Sequence, residues 1–534
     1  MSYQGKYWEI NNFSGGYCPD LASTNLALNQ ASDMRMAVVG PNGSYIRAML
    51  GSAKGNATEL GTGADGWPVT GVGQLIVDGT TEYVVAIKKD KIYSSAFSGV
   101  QSGLSFTDRT GAFAGFGLEA SASNQAFYRR TSFCMLNNLL IGFGGRFGSV
   151  DTPFKWSGSG NIAALGGTPP SATKCFSTNN RVFAYGLNSP SEQSIYWSIL
   201  SNPEDWTGSG SGNATVGGSQ DGERILTHAV LSNNITLLFK KNTIYQMVTD
   251  SAPFSITPLF SGVGCICPEA IVVVNGMAYF INSEFRLCST DGNTITEYPN
   301  FSGSFFRYGQ YDFGRPIFSH RLTGHDYDWI FFTLSAYKSL GQASTQSGQI
   351  AWDLKNKCWV GVNIPTVTVS AGVPQSISNT VNASCISGAT FSDGTFWGGF
   401  IAGGFVIQPD YPGLENVHDT GATEFQSHWT TGWVKSGTKD TIVRPARLVQ
   451  TYSTTASGGN ITTEYGVDFV RDGTKTLTYS VAPTASETVT SRSNNVPIKG
   501  NFLQFRSYLN DDANSTTLHS LMLYGETSGT EKIT

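Results

Sequence analysis

The chain has 534 residues, of which 62 are glycine, 12% are aromatic and only 14% are charged, against a charged fraction of about 25% in average globular proteins. A net charge of −5 excludes the strongly basic surface by which proteins hold nucleic acid, and no apolar run approaches the ~20 residues that span a bilayer. At this length two or more domains are expected, and the weakly charged surface suits a soluble subunit that is covered by neighbours.

The first 50 residues are predicted to form an N-terminal arm with the first strands. They lack the charged and apolar regions of a secretory signal, so no cleaved export signal is expected. Gly15 and Gly16 predict a bend, and the stretch from Leu26 to Met34 predicts an extended or short helical piece.

Short apolar strands recur in pairs through residues 51–410, roughly every 40 to 60 residues, which is the repeat length of four-stranded propeller blades. This spacing predicts an all-β fold, with a β-propeller of six to eight irregular blades in this region. A two-sheet sandwich of unrelated strands remains the alternative, because regular turn spacing suits that fold too. Four of the units open with dipeptides that favour tight hairpin turns, namely Asn137-Asn138, Asn179-Asn180, Asn233-Asn234 and Asn275-Gly276.

The sequence pattern changes near residue 420, where longer predicted strands alternate apolar and polar residues. Such alternation is typical of strands with one buried and one wet face. Residues 411–422, with Pro412 and Gly413, are predicted to be a linker, and residues 423–534 a C-terminal β-sandwich.

No catalytic, cofactor-binding or metal-binding residue is predicted, and the chain is not expected to be an enzyme. Eight cysteines are scattered without paired CxxC motifs and are expected to be free and buried; Cys265, Cys267 and Cys288 do not supply four zinc ligands. The six histidines lie in no recognisable motif, and His320 and His325 are predicted to flank a turn.

Three further patterns are weak signals for chemistry. Residues 115–120 have the form of a dinucleotide fingerprint but lie among hairpins, which favours a loop. The stretches 289–292 and 392–395 do not keep the spacing of sialidase Asp-box turns. The densest basic spots, at Lys88 to Lys91 and at Lys240-Lys241, are predicted to be solvated hairpin ends.

Two segments resemble tail nozzle or hub proteins of short-tailed double-stranded DNA phages. One is the N-terminal segment with its Gly-Gly turn and its Asn29-Gln30-Ala31 stretch, and the other covers residues 180–186, 196–198, 202–206 and 221–225. In the second segment Trp197 and Trp206 are predicted to be core aromatic residues that fasten one blade to the next.

The resemblance implies a structural virion component that extends the DNA-ejection channel below the head-tail adaptor. It further implies a six-fold homo-oligomeric ring that contacts the adaptor and tail fibre or tip proteins, and through which double-stranded DNA passes without specific recognition. A glycan- or receptor-binding propeller of a fibre or baseplate is the alternative, with Trp397 or Trp433 exposed on loops to stack on sugars. A polysaccharide hydrolase is the third interpretation.

Overall fold

The computed structural model describes most residues of the chain. They are residues 5–18, 24–49, 53–61, 65–99, 103–122, 129–146, 148–218, 222–298, 317–324, 326–337, 346–363, 366–370, 373–378, 385–400, 404, 406–409, 417–418, 423–424, 427–435, 442–454, 460–469, 476–480, 490–495, 502–511 and 514–528. They contain the short 3₁₀ helix Pro41–Gly43 but no helix long and apolar enough to cross a membrane.

Seven antiparallel sheets succeed one another along the chain and form the blades of a β-propeller. The first strand of each blade is innermost, and the inner strand of blade 1 contacts those of blades 2 and 7, which closes the ring. The predicted all-β propeller is therefore confirmed, with seven blades.

The strands of each blade follow in chain order. Blade 1 comprises Val69–Val77, Thr81–Lys88, Lys91–Ala96 and Thr107–Asp108. Blade 2 comprises Arg130–Leu136, Leu139–Arg146, Ser149–Val150, Phe154–Trp156 and Ala163–Ala164. Blade 3 comprises Ala172–Thr178, Arg181–Leu187, Ser194–Trp197 and Gly212–Thr215, and blade 4 comprises Thr227–Ser232, Ile235–Phe239, Thr243–Val248 and Ser255–Ser261. Blade 5 comprises Ile271–Val274, Met277–Ile281, Leu287–Thr290 and Ile295–Glu297, and blade 6 comprises Ile317–Thr323, Asp328–Tyr337, Gln346–Asp353 and Cys358–Asn363. Blade 7 comprises Cys385–Thr390, Phe396–Phe400, Val406–Gln408 and Ala53–Lys54.

Blade 7 joins the two ends of the propeller segment. Its outermost strand, Ala53–Lys54, comes from the start of that segment and pairs with Val406–Gln408 from its end. Asn56 supports this closure, because its Oδ1 accepts the Val406 N–H at 2.9 Å and its Nδ2 donates to the Gly404 carbonyl at 3.0 Å. The ring is thus closed by hydrogen bonds between residues about 350 positions apart.

The asparagine dipeptides form the hairpin turns that the sequence predicts. Both residues have positive φ in Asn137-Asn138, Asn179-Asn180 and Asn275-Gly276, as two-residue type I′ turns require. The hairpin at Asn233-Asn234 differs, since its register shifts between Val230 and Ser232.

Trp197 and Trp206 fasten blade 3 to both neighbours, as predicted. The ring centroid of Trp206 lies 6.1 Å from that of Phe143 in blade 2. The Trp206 indole N–H donates to the Pro203 carbonyl oxygen at 2.9 Å. Trp197 packs edge-on against Phe254, which lies in the loop before the last strand of blade 4, at 4.9 Å.

A β-sandwich of two sheets forms the second unit, and both ends of the chain build it. The first sheet contains Gly5–Ile10, Ala37–Val39, Ile46–Ala48, Ile442–Thr454, Thr490–Asn495, Asn510–Asp511 and Asn514–Ser528. The second contains Gly16–Tyr17, Gln30–Arg35, His428–Thr431, Val434–Lys435, Asn460–Val467, Thr476–Ser480 and Phe502–Tyr508.

The N-terminal segment is therefore part of the sandwich, whereas its sequence predicts a separate arm with the first strands. The Leu26 to Met34 stretch is extended at its end, in the strand Gln30–Arg35. Its partners lie some 400 residues away, as in the pairing of Met34 with Trp429. Two further hairpins complete the description, Thr366–Ser370 with Val373–Ser378, and Val417–His418 with Thr423–Glu424. The rest of the predicted linker 411–422 lies outside the described residues.

The sandwich docks on the outer strand of blade 6, Cys358–Asn363, and two glycines allow the close approach. A Cβ on Gly361 would overlap the Met34 carbonyl oxygen, and one on Gly16, at φ +59°, would overlap the Trp359 carbonyl oxygen. An ion pair of 3.0 Å between Arg47 and Asp326 also joins the two units. The docked sandwich covers a strand edge that would otherwise be open for pairing.

Candidate functional site

A cavity of about 500 Å³ occupies the centre of the propeller. Every blade contributes to its wall, including Gln74, Thr227, Phe318 and Ser387 from blades 1, 4, 6 and 7. The inner strands that surround this cavity have about six residues and span ~20 Å. A duplex is wider than its own ~12 Å major groove, and a stretch as long as these strands needs several times the volume of the cavity, so duplex DNA cannot pass along the propeller axis.

One ion pair stands in the wall of the channel. Lys174 Nζ lies 2.5 Å from Glu269 Oε1, and both side chains are largely buried. The backbone of Glu269 is fixed by Ser319, whose N–H and hydroxyl donate to its carbonyl oxygen at 2.9 and 2.8 Å. Among the described residues that line the channel, Glu269 supplies the only carboxylate.

Arg130 is a second cation of the channel wall, and it is not among the residues predicted from the sequence. The residue is only 6% exposed, and its Nη1 donates to the Arg129 carbonyl oxygen at 2.6 Å. Nε and Nη2 are buried and have no hydrogen-bond partner within the described part of the chain. The adjacent Arg129 points to the other face of the strand, where it pairs with Asp151 and Glu119. An arginine pair at the start of an inner strand was the available signal.

His228 and Tyr185 form a neutral pair beside these charges. Tyr185 Oη lies 2.7 Å from His228 Nδ1, and the imidazole stacks on Phe176 at 4.3 Å. Burial, with a smaller effect of Lys174, lowers the pKa of His228 to about 3, and burial raises the pKa of Tyr185 well above its usual value. Neither group carries charge at neutral pH.

His320 lies in the core and not beside a turn, which corrects the prediction. It belongs to the strand Ile317–Thr323, is 5% exposed and stacks on Phe396 at 3.9 Å. Its ring nitrogens have no hydrogen-bond partner among the described residues, and burial lowers its pKa to about 3. The turn begins only at Gly324, and His325 lies outside the described residues.

The basic spots at Lys88 and Lys240 are buried, so the prediction of solvated hairpin ends is wrong for these two residues. Lys88 Nζ lies 2.7 Å from Asp65 and donates to the Leu60 carbonyl oxygen at 2.8 Å. Lys240 Nζ donates to the Val216 carbonyl oxygen at 2.7 Å. Loop segments between strands cover both ammonium groups. Burial by segments that are distant in the chain leaves no recognisable pattern in the sequence around each lysine.

All eight cysteines are free and buried, as predicted. Burial raises the pKa of the Cys265, Cys288 and Cys385 thiols, which keeps them protonated and unreactive. The described residues contain no group of three or more His, Cys, Asp or Glu side chains that could hold a metal ion.

The glycine-rich and Asp-box-like stretches are structural. Residues 115–120 lie in irregular backbone, as predicted. Asp291 and Asp393 close hairpin turns, and Asp291 Oδ1 accepts N–H groups of Asn293 and Thr294 at 2.8 and 2.9 Å. These bonds lower the pKa of Asp291 to about 2, so it is poorly suited to donate a proton.

The two candidate sugar-stacking tryptophans differ in exposure. Trp397 is fully buried in the strand Phe396–Phe400, and its indole N–H donates to Thr395 Oγ1 at 3.0 Å, so it is not an exposed loop residue. Trp433 is half-buried in the sandwich and lies 5.1 Å from Phe469, which is 55% exposed. Phe502 lies 4.7 Å from Phe469 and completes an aromatic cluster at the surface.

No family profile and no curated protein matches this chain. Among solved structures, the WD40 β-propeller domain of Doa1 is similar at 12% identity over 67% of this chain and 97% of that chain, with a TM-score of 0.38. YCF48 from Cyanidioschyzon merolae is similar at 10% identity over 66% and 98%, with a TM-score of 0.38. An exo-β-1,3-galactanase from Phanerochaete chrysosporium is similar at 11% identity over 74% and 95%, with a TM-score of 0.25. Likenesses this distant carry no argument about function.

Proposed function

We propose that this chain is a structural subunit of the tail of a short-tailed double-stranded DNA phage, a nozzle or hub protein below the head-tail adaptor. The observation that carries the proposal is the position of the two segments that resemble this class. The N-terminal segment forms the seam between sandwich and propeller, and the segment from residue 180 onward holds blades 2, 3 and 4 together. Both segments thus lie at contacts that join the parts of the chain.

The proposed conduit for DNA lies between copies of the chain and not within one copy. The cavity on the propeller axis, at about 500 Å³, is too small to admit a duplex. Several copies around a common axis can enclose a wider channel, and the resemblance implies six. In this arrangement the adaptor ring lies above, and fibres or tip proteins attach at the sides or the tip.

The charge of the chain supports passage without binding. Each contact between a cationic side chain and a phosphate adds affinity for DNA, and strong affinity would hold the genome back. The chain carries a net charge of −5, and two lysines of its densest basic spots are buried. We propose no catalytic activity and no cofactor.

The test is electron microscopy of the purified chain, alone and mixed with the head-tail adaptor protein of the same phage. Rings with six-fold symmetry and a central channel wide enough for duplex DNA support the proposal. Single two-lobed particles in both samples contradict it.

Glycan binding by a fibre or baseplate module is the second candidate, and the surface cluster of Trp433, Phe469 and Phe502 is the observation that favours it. Exposed aromatic rings present apolar faces, and Phe469 is 55% exposed despite its apolar side chain. Binding on a glycan array that is lost in Trp433→Ala and Phe469→Ala, but kept in Leu200→Ala, would support this function. Leu200 is a matched control because it is 57% exposed and lies in the propeller.

A polysaccharide hydrolase is the least supported candidate. Glycosidases use a pair of carboxyl groups that flank the scissile bond. Among the described residues that line the channel, Glu269 has the only carboxyl group, and it forms an ion pair with Lys174. Release of reducing sugar from bacterial surface polysaccharide would overturn the proposal of a non-enzymatic role.

A further inference from the structure

The free edge of Arg130 has the geometry of an oxyanion receptor. Its Nη1 donates to the Arg129 carbonyl oxygen, and Nε and Nη2, which have no hydrogen-bond partner among the described residues, lie side by side on another edge of the guanidinium. Both nitrogens are buried in this conformation, so an anion reaches them only when the side chain turns toward the channel, where their parallel N–H groups match the two oxygens of a carboxylate or of a phosphate group.

A buried guanidinium with an unused edge destabilises the fold. Its neighbour Arg129 shows the alternative, since that side chain is matched by Asp151 and Glu119. The carboxylate whose charge acts on Arg130 is Glu269, which is paired with Lys174. An external anion would supply the missing partner.

The charged groups of the channel wall leave one positive charge unbalanced. Among the described lining residues they are Arg130, Lys174 and Glu269, because His228 and Tyr185 are neutral, and a hydrogen bond with Cys175 together with burial raises the pKa of Cys134 well above its usual value. Burial lowers the pKa of Arg130 to about 10, which still leaves it fully protonated at pH 7. An anion that enters the channel therefore neutralises the unbalanced positive charge of the wall.

The remainder of the wall indicates what the anion is attached to. A volume of about 500 Å³ lies within the ~300–1,000 Å³ typical of small-molecule sites. Hydroxyl and amide groups line it together with apolar side chains, and the polar ones are Gln74, Thr131, Ser132, Thr227 and Ser387. Ser132 and Ser387 already donate their hydroxyl protons to backbone carbonyls, so their oxygens remain as acceptors for the hydroxyls of a ligand that also bears the anionic group.

We propose that the propeller channel binds a small hydroxyl-bearing oxyanion, whose carboxylate or phosphate oxygens accept hydrogen bonds from Nε and Nη2 of Arg130. This inference is independent of the proposed tail role. The site can be occupied in a single chain, because every residue that it uses lies within one propeller.

The test is isothermal titration calorimetry of the full chain with three ligands of similar size. Glucuronate carries a carboxylate, glucose 6-phosphate carries a phosphate, and glucose carries neither. We expect at least one of the two anions to bind and glucose not to bind. Arg130→Met should weaken that binding by about thirty-fold or more, since one partner of a buried charged hydrogen bond is lost. Arg286→Met is the matched control, because Arg286 lies on the surface of blade 5 and pairs with Glu297.

Each outcome decides the proposal. Binding of glucuronate alone assigns a carboxylate ligand, binding of glucose 6-phosphate alone assigns a phosphate ligand, and binding of both assigns an oxyanion site of broad specificity. The proposal is overturned if neither anion binds, if glucose binds as tightly, or if Arg130→Met binds unchanged. Thermal unfolding without ligand checks the fold of Arg130→Met, and a large loss of stability there would identify an internal partner and also overturn the proposal.

Discussion

The propeller and the sandwich differ in how far apart in the sequence their paired strands lie. Within a blade the partners are local, as where Leu136 pairs with Leu139, whereas the sandwich pairs Gly5 with Gly525. The propeller needs a distant contact only where blade 7 closes, but the sandwich depends on both chain ends throughout. Local sequence patterns therefore specify the first unit far more completely than the second.

Removal of residues 1–50 should have the largest effect, because it should unfold the sandwich while the propeller stays folded. The deletion takes five strands from the sandwich, together with buried Phe13, Val38 and Ile46, but leaves the closing strand of blade 7. We expect the sandwich to unfold, since the loss exceeds the ~5–15 kcal/mol that stabilises a domain. Limited proteolysis with mass spectrometry should show residues 53–409 protected and residues 427–528 digested. Equal protection of both regions would contradict the shared sandwich.

Acid should destabilise the propeller through His228 and His320. Burial lowers the pKa of each to about 3 in the folded chain, against about 6.5 when unfolded. Since the unfolded state takes up the protons first, the stability is fully present above pH ~6.5 and is lost as pH falls toward 3, by up to ~5 kcal/mol for each histidine.

The measurement for this prediction is urea unfolding of the propeller at pH 7 and pH 5, where the two histidines together should remove about 4 kcal/mol. His320→Met should remove about half of that pH dependence, because its ring faces only Phe318, Phe331 and Phe396 among the described aromatic residues. An identical pH dependence of the free energy of unfolding in the variant would contradict this explanation.

Trp206→Ala should weaken the contact between blades 2 and 3. The change removes a side chain that is 7% exposed, its packing on Phe143 and the hydrogen bond to Pro203. A loss of about 3–5 kcal/mol in the free energy of unfolding is expected, as for other buried aromatic truncations. Trp433→Ala in the sandwich is the comparison and should lose far less, because that ring is half-buried. Similar losses from both variants would show that blade contacts are not special.

Gly361→Ala should separate the two units while leaving each folded. The added methyl would overlap the Met34 carbonyl oxygen at the seam, and such overpacking typically costs about 1–3 kcal/mol. Gly218→Ala is the matched control, since a Cβ there meets nothing within 4 Å. Small-angle scattering should detect an expanded particle for Gly361→Ala only, and an unchanged particle would argue against tight docking at this strand.

The sequence could predict the blades because turn residues and apolar strands lie next to each other in the chain. Asn137-Asn138 and Asn179-Asn180 identify hairpins, and Trp197 and Trp206 identify a contact between blades. The place of the N-terminal strands could not be predicted in this way, because strand pairing across 400 or more residues leaves no spacing signature.

Burial of single side chains was the second point that the sequence could not decide. Lys88 and Lys240 lie among polar residues and are nevertheless covered by loops, while Trp397 lies beside a turn and is nevertheless in the core. Arg130 follows another arginine, and only the direction of the strand places one of them in the channel. These outcomes depend on tertiary packing, which residue type alone does not fix.

The most direct test of the account is a three-dimensional electron microscopy reconstruction of the chain bound to its head-tail adaptor. The account predicts six copies around a channel wide enough for duplex DNA, with the axis of each seven-bladed propeller displaced from the common axis. A reconstruction in which a propeller axis coincides with the DNA path, or in which no ring forms on the adaptor, would contradict it.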